Sequence, residues 1–168
     1  FFDNIDHRIM KKNLLRIHQK QKLSSDWFNV YKSVTTYGYY EKDLLIKIFG
    51  TDKETRNANK ASYFPQMKDF RNFQRKHSIS KNEQKYGIPQ GTAISAVFAN
   101  VYSIEFDVCM KNLADQHLGM YRRYSDDFIL VIPEKQISGV VSQTQIEAIE
   151  KRVRALAEEY KIEIQETK

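Results

Sequence analysis

Tyr121-Arg122-Arg123-Tyr124-Ser125-Asp126-Asp127-Phe128-Ile129-Leu130-Val131-Ile132 sets two adjacent carboxylates between two runs rich in apolar, aromatic and β-branched residues. Such runs favour extended chain, and the polar Ser125-Asp126-Asp127 between them is a place to turn. The local reading is a β-hairpin with Asp126 and Asp127 at its tip. Gly119 leads into it and Pro133 closes it. Asp is also common in turns because it tolerates their geometry. Taken alone, the stretch fits an ordinary turn as well as a placed pair of carboxylates.

Downstream, Thr144-Gln145-Ile146-Glu147 has the pattern of a capping box. It starts a predicted helix with Ile146, Ile149, Val153, Leu156 and Tyr160 on one face, supported by the i,i+4 pairs Glu147/Lys151 and Glu150/Arg154. Lys161-Ile162-Glu163-Ile164-Gln165 alternates at period two and predicts a half-buried strand. Upstream lies Tyr86-Gly87-Ile88-Pro89-Gln90-Gly91, a turn bracketed by glycines that lets backbone come near a ligand. A helix from Thr92 to about Leu113 follows, and its N-terminus favours negative charge such as a phosphate.

The start of the chain reads as the end of a strand, Phe1-Phe2, followed by a helix capped by Asn4 or Asp6 with Met10, Leu14 and Ile17 on one stripe. Ser24 or Ser25 caps a second helix carrying Trp27, Phe28, Tyr31 and Val34, a stripe expected to pack in the core. Residues 37–86 read as a long basic connection with some helix. Tyr37-Gly38-Tyr39-Tyr40 suggests a turn or strand edge, and Leu44 to Phe49 a short strand or helix. The order of elements, with runs of helix and an antiparallel hairpin, predicts an α+β fold with helices on one face of a small antiparallel sheet.

With 168 residues, 41% hydrophobic and 12% aromatic, the chain has enough apolar material for a core and is not expected to be disordered. The single cysteine, Cys109, excludes an internal disulfide and a multi-cysteine zinc site, and fits a reducing cytoplasm. No apolar run approaches about 18 residues, so no membrane span is expected, and no signal peptide is visible. Lacking an initial Met and opening on an apolar pair, the chain is expected to be a piece of a longer protein. The net charge of +6 concentrates in residues 51–86, where nine basic residues face four acidic ones, a net +5. Residues 141–168 carry a net −1. A basic middle suggests a polyanion such as nucleic acid, though local excess charge is common on solvated surface loops. The aromatics Phe64, Phe70 and Phe73 among those charges suit single strands, or a loop that tacks itself down.

An Asp-Asp pair held rigidly by a hairpin makes chemical sense as a Mg²⁺ site. Mg²⁺ takes hard oxygen ligands, usually one or two carboxylates plus substrate phosphates. Nucleotidyl transfer uses two such ions, one at the attacking 3′-oxygen and one at the leaving pyrophosphate. Phe1 to His7, Tyr86 to Tyr102, Arg123 to Phe128 and Ile162 to Lys168 resemble, in order, four motifs of the reverse transcriptase palm domain, the third being its Tyr-x-Asp-Asp box. The resemblance spans the whole chain and implies a polymerase palm with a catalytic hairpin.

It further implies Asp126 and Asp127 as catalytic metal ligands for Mg²⁺, with Mn²⁺ as an alternative ion. Gln90 and Gly91 would line the site of the incoming nucleotide and Phe2 would be the steric gate favouring dNTPs. Tyr124 would lie near the primer end, and Lys168 would donate a proton to pyrophosphate. The partners implied are an RNA template, a DNA primer or product, and dNTPs, with no membrane. Lys68, Arg71, Arg75 and Lys76 are the candidate nucleic-acid contacts. In the family the first motif's Asp precedes the gate aromatic and would lie upstream of Phe1; neither Asp3 nor Asp6 replaces it, and no fingers or thumb are seen. The chain alone is therefore expected to be inactive and its parent active.

Ser95-Ala96, where group II intron and retron enzymes generally have Ser-Pro, and the later Glu105-Phe106-Asp107 look more like abortive-infection and other phage-defence reverse transcriptases, bacterial and cytoplasmic. Templated and untemplated synthesis both stay open. The competing readings are an RNA-directed RNA polymerase palm, or a non-catalytic palm that binds nucleic acid or protein through residues 51–86.

Overall fold

A computed structural model of the chain describes residues 1–51, 53–54, 63–136, 139–140 and 142–165. It divides into two units, Phe1–Thr35 with Gln84–Lys168, and Thr36–Glu83. The fold mixes helices with two-stranded antiparallel pairings.

In the first unit, Phe2–Asn4 is a turn of 3-10 helix, not the expected end of a strand. A strand needs a neighbouring ladder, and none of the described strands pairs with this segment. The turn closes locally instead, Asn4 N–H donating to the Phe1 carbonyl at 3.1 Å. Of the two candidate caps it is Asp6 that starts α1 (His7–Ile17), its carboxylate accepting from Arg8 N–H at 2.8 Å and Ile9 N–H at 3.3 Å. Met10 and Leu14 are buried, whereas Ile17, in the last turn, is exposed.

α2 (Ser25–Thr35) lies beside α1, with Tyr31 Oη donating to the His7 carbonyl at 3.0 Å. Its aromatic stripe is not all core. Val34 is buried, but Trp27 and Phe28 are 37% and 45% exposed. They sit in the first turn of α2, opposite the point where α1 has run out into its cap residue His18. The His18 imidazole lies against Trp27, ring centroids 4.6 Å apart.

α5 (Ala93–Gln116) is capped by Thr92, whose hydroxyl accepts from Ser95 N–H at 3.2 Å. By length and composition alone it would also be long and apolar enough to cross a membrane. Its largest side chains face the interior, Phe98, Tyr102, Phe106 and Met110 all being at most 1% exposed, while Ile94, Val97 and Val108 are exposed. Its first half packs with Ile5, Met10, Leu14, Leu23, Val34 and Ile88, its second half with Tyr121, Ile149, Leu156 and Ala157. Asn13 of α1 is buried against it, Nδ2 donating to the carbonyls of Val101 and Tyr102 at 3.1 and 2.9 Å. Glu105 accepts from both Lys12 and Arg16 at 3.1 Å.

β3 (Met120–Tyr124) and β4 (Asp127–Val131) form the expected hairpin, with Tyr121 opposite Leu130 and Arg123 opposite Phe128. β5 (Lys135–Gln136) and β6 (Gly139–Val140) form a short antiparallel pair. α6 (Gln143–Glu159) begins earlier than the sequence pattern suggests. The capping box is Ser142 with Gln145, not Thr144 with Glu147: Ser142 Oγ accepts from Gln145 N–H, and Gln145 Oε1 accepts from Ser142 N–H at 2.8 Å. The Glu150–Arg154 pair forms at 2.9 Å, while Glu147 accepts from Gln143. Residues 162–165 are not a strand. Ile162 and Ile164 are half-buried between exposed neighbours, so the alternation survives without ladder pairing among the described strands.

The second unit pairs β1 (Gly38–Tyr39) with β2 (Ser80–Lys81) and holds α3 (Lys42–Phe49) and α4 (Met67–Lys76). The stretch Leu44 to Phe49 is thus helix. Phe73, 8% exposed, meets Tyr40, Phe49 and Phe64 with ring centroids 5.0–5.7 Å apart. The aromatics among the basic residues pack on one another, forming a small core. Asp52, Arg56 and Lys60 lie outside the described residues.

Asp6 also ties distant ends of the first unit together, accepting from Lys161 Nζ at 2.6 Å. Burial opposes its ionisation, but the Lys161 ammonium and the N–H groups of Arg8 and Ile9 prevail and hold its pKa at about 2. A lowered folded-state pKa gives stability that is complete above the unfolded value near 4 and is lost as pH falls from there through about 2. Asp6→Asn keeps the cap and removes the charge. It is expected to lower stability at pH 7 by about 1–2 kcal/mol after solvent screening and to flatten the pH dependence of urea unfolding between about pH 4 and 2.

Candidate active site

The hairpin register pairs Tyr124 with Asp127, so the turn proper is the two residues Ser125 and Asp126, and Asp127 opens β4. Two-residue hairpin turns call for positive φ at one or both central residues, and Ser125 supplies it at 56°. Asp126 and Asp127 are both exposed. Alternation along the strands sends Tyr121 and, on β4, Phe128 and Leu130 toward the second core cluster, and leaves Tyr124 87% exposed.

Arg123 takes the inward-facing position nearest the tip. Its Nε and Nη2 donate to Asp107 Oδ1 and Oδ2, both at 2.8 Å, its Nη2 also to Asn100 Oδ1 at 3.2 Å, and its Nη1 to the Ser125 carbonyl at 2.6 Å. Tyr121 Oη donates to the same Asp107 at 2.7 Å. The hydrogen bonds to Asp107 push the Arg123 pKa up against the effect of burial, and burial together with the Asp107 carboxylate pushes the Tyr121 phenol up.

Asp126 and Asp127 open onto a cleft of about 280 Å³ lined also by Phe1, Phe128, Glu163, Ile164 and Gln165. The 163–165 side of the cleft is anchored from below. Tyr102 Oη donates to the carbonyls of Tyr160 and Lys161 at 2.9 and 3.1 Å, and Asn4 Nδ2 donates to Glu163 at 2.6 Å. Burial pushes the Tyr102 phenol up to about 12.

The segment around Gly87 is laced to the start of the chain. His7 N–H donates to the Lys85 carbonyl, Gly87 N–H to that of Ile5, and Ile88 N–H to that of Phe2, at 2.9–3.0 Å. His7 Nε2 and the Gly87 carbonyl are 2.7 Å apart. Gly87 and Gly91 both hold positive φ, 85° and 88°. A Cβ on Gly87 would press on the Asp3 carbonyl at 3.1 Å, whereas one on Gly91 would meet nothing within 4 Å. Space is therefore open beside Gly91, and only its backbone conformation asks for glycine.

The expected site residues are thus partly assembled. Asp126 and Asp127 share one cleft. Phe2 is half-buried against the first core cluster, edge-to-face with Phe1 at 5.7 Å, and it is Phe1 that lines the cleft. Gln90 and Gly91 are exposed in their turn and outside that lining. Lys68, Arg71, Arg75 and Lys76 are exposed on α4 of the second unit. Lys168 lies outside the described residues. Sequence reasoning missed Glu163, Phe1, Arg123 and Asp107 as parts of the site. The last two sit 16 residues apart on different elements, and the only available signal was an arginine placed on the core-facing alternation of a strand.

Among the described residues, no group of three or more His, Cys, Asp or Glu side chains is placed to hold a metal by itself. The donor set at the tip is two exposed carboxylates, with Glu163 lining the same cleft. That is too little for an all-protein cage, and it suits Mg²⁺, which keeps several waters and completes its shell with substrate phosphates. No protein-family model and no curated protein matches the chain.

Proposed function

We propose that the chain is the palm of a reverse transcriptase and carries out RNA-directed DNA synthesis within a longer protein. The observation that carries this reading is the Asp126-Asp127 pair, set at the two-residue turn of the hairpin and the start of β4, and opening on a cleft lined by Phe1, Phe128 and the 163–165 segment. The ordered resemblance of four stretches to the palm motifs supports it, as does the basic second unit. Asp126 and Asp127 would hold Mg²⁺, with Mn²⁺ a workable substitute. Bound there, the metal would stabilise charge on the reacting phosphate and activate the 3′-oxygen. Gln90 and Gly91 would offer backbone and amide to the nucleotide, Tyr124 would lie near the primer end, and Lys168 would serve the leaving pyrophosphate. A further carboxylate from upstream of Phe1 belongs to the same proposal, and so does a place in bacterial antiviral defence.

The packing of Phe2 into the core favours a second reading, an RNA-directed RNA polymerase, because the gate aromatic would then stand back from the 2′-position. Primer extension by the full-length protein on an RNA template with Mg²⁺ separates them. DNA synthesis with dNTPs and rejection of rNTPs is expected. Equal use of rNTPs supports the RNA polymerase. Metal-independent nucleic-acid binding with no extension of any primer supports a non-catalytic palm.

Lys68, Arg71 and Arg75 recur at i, i+3 and i+7, one face of α4, away from Phe70 and Phe73. Replacing the three with Gln should lower the slope of log affinity against log salt for single strands by about 2, at about 0.7 per phosphate contact, with unfolding unchanged. An unchanged slope would remove α4 from the interface.

A further inference from the structure

We infer that Asp107 and Arg123 are a positioning pair which sets the geometry of the Asp126-Asp127 tip and thereby its affinity for a divalent cation; this rests on reading the tip as a metal site. Ser125 adopts a positive φ of 56° with no glycine or asparagine to favour it. Such a turn persists when its surroundings determine it. Arg123 is what grips it, through Nη1 to the Ser125 carbonyl at 2.6 Å.

The guanidinium is itself fixed from three sides. Asp107 takes its Nε and Nη2, Asn100 takes Nη2 again, the Ser125 carbonyl takes Nη1, and Tyr121 Oη donates to Asp107 Oδ1, the oxygen that also accepts from Nε. The Arg123 side chain is 11% exposed, so this is not a loose surface pair. The planar fork is required, because an ammonium is a point charge that cannot hold two carboxylate oxygens and a carbonyl on the far side at once. The result is a turn held in one geometry by a charge-compensated pair, so that the two adjacent carboxylates are ordered before any cation arrives and binding costs less reorganisation.

Groups that orient metal ligands are typically worth about 10–100-fold in metal affinity. In the full-length protein without nucleotide, Mn²⁺ binding read by the electron paramagnetic resonance of the free ion should weaken by about that factor in Arg123→Lys and Asp107→Asn. Half-saturating Mg²⁺ for primer extension should rise in parallel, while KM for primer–template stays within about twofold, since neither residue faces the duplex under this proposal. A role in fold stability alone would lower the unfolding temperature and leave Mn²⁺ affinity per folded molecule unchanged, and that result overturns the inference. Tyr121→Phe keeps the buried ring and removes only the hydroxyl on Asp107, so it serves if the other variants do not fold; a loss of several-fold in Mn²⁺ affinity is expected and no loss overturns the pair's role. Wild-type protein that binds no Mn²⁺ overturns the metal-site reading itself, a failure distinct from variants that bind as well as wild type.

Discussion

Asp126→Asn in the full-length protein should lower primer extension by about 10³-fold or more while leaving the unfolding temperature within a degree or two. The two halves of that result have different physical sources. Metal-held charge stabilisation is worth several kcal/mol at the transition state, and about 4 kcal/mol is 10³-fold in rate. The fold, by contrast, asks little of this carboxylate. Asp126 is exposed in a two-residue turn, makes no hydrogen bond or ion pair among the described residues, and Asn is as good a turn residue as Asp. Raising Mg²⁺ should recover little, because the amide carries no charge to bind it. Undiminished extension would show that the tip is only a turn. Measuring extension and thermal unfolding on the same preparation decides the matter.

Phe106→Ala should destabilise the first unit by about 3–5 kcal/mol. Phe106 is fully buried, and its ring meets Phe128 at 5.6 Å, Tyr160 at 6.4 Å and Tyr121 at 6.5 Å. It is the point where α5, the hairpin and the end of α6 converge. Its partners are held by these ring contacts and relax only partly into the void, so the cavity cost adds to the lost transfer energy. Against a total stability of about 5–15 kcal/mol, this is a large share. Urea unfolding should show a lower midpoint at unchanged slope. A change under about 1 kcal/mol would mean that the second cluster is not a true core.

The neighbours of Phe106 show what could be read in advance. Glu105-Phe106-Asp107 stands out in the sequence, yet nothing local says that Glu105 accepts from Lys12 and Arg16 of α1, or that Asp107 holds Arg123 on β3. Local chemistry was legible. The Asp6 cap, α1, α5 and the hairpin at 120–131 follow from periodicity, capping and turn residues within a few positions. What failed depended on partners. Residues 162–165 have a strand's alternation but no ladder among the described residues, the helix after Ser142 had two competing capping patterns, and Trp27 lay on the expected stripe of α2 but is part exposed. The site followed the same rule. The carboxylate pair is contiguous and visible, whereas Phe1 and Glu163 reach the cleft through tertiary structure alone.

α5 runs 24 residues, about 36 Å, and each half of it completes a different interior cluster. Ile162 touches both clusters, and Tyr102 suspends the chain just before it. In native-state hydrogen exchange the amides from Phe98 to Ala114 should therefore be the slowest of the first unit and share one opening free energy, equal to that of global unfolding. The hairpin tip would exchange and be cut by proteases far sooner, yet its strands would not detach without α5. Under the proposed function, heat or denaturant should therefore abolish primer extension in a single step with the loss of the first unit's fold.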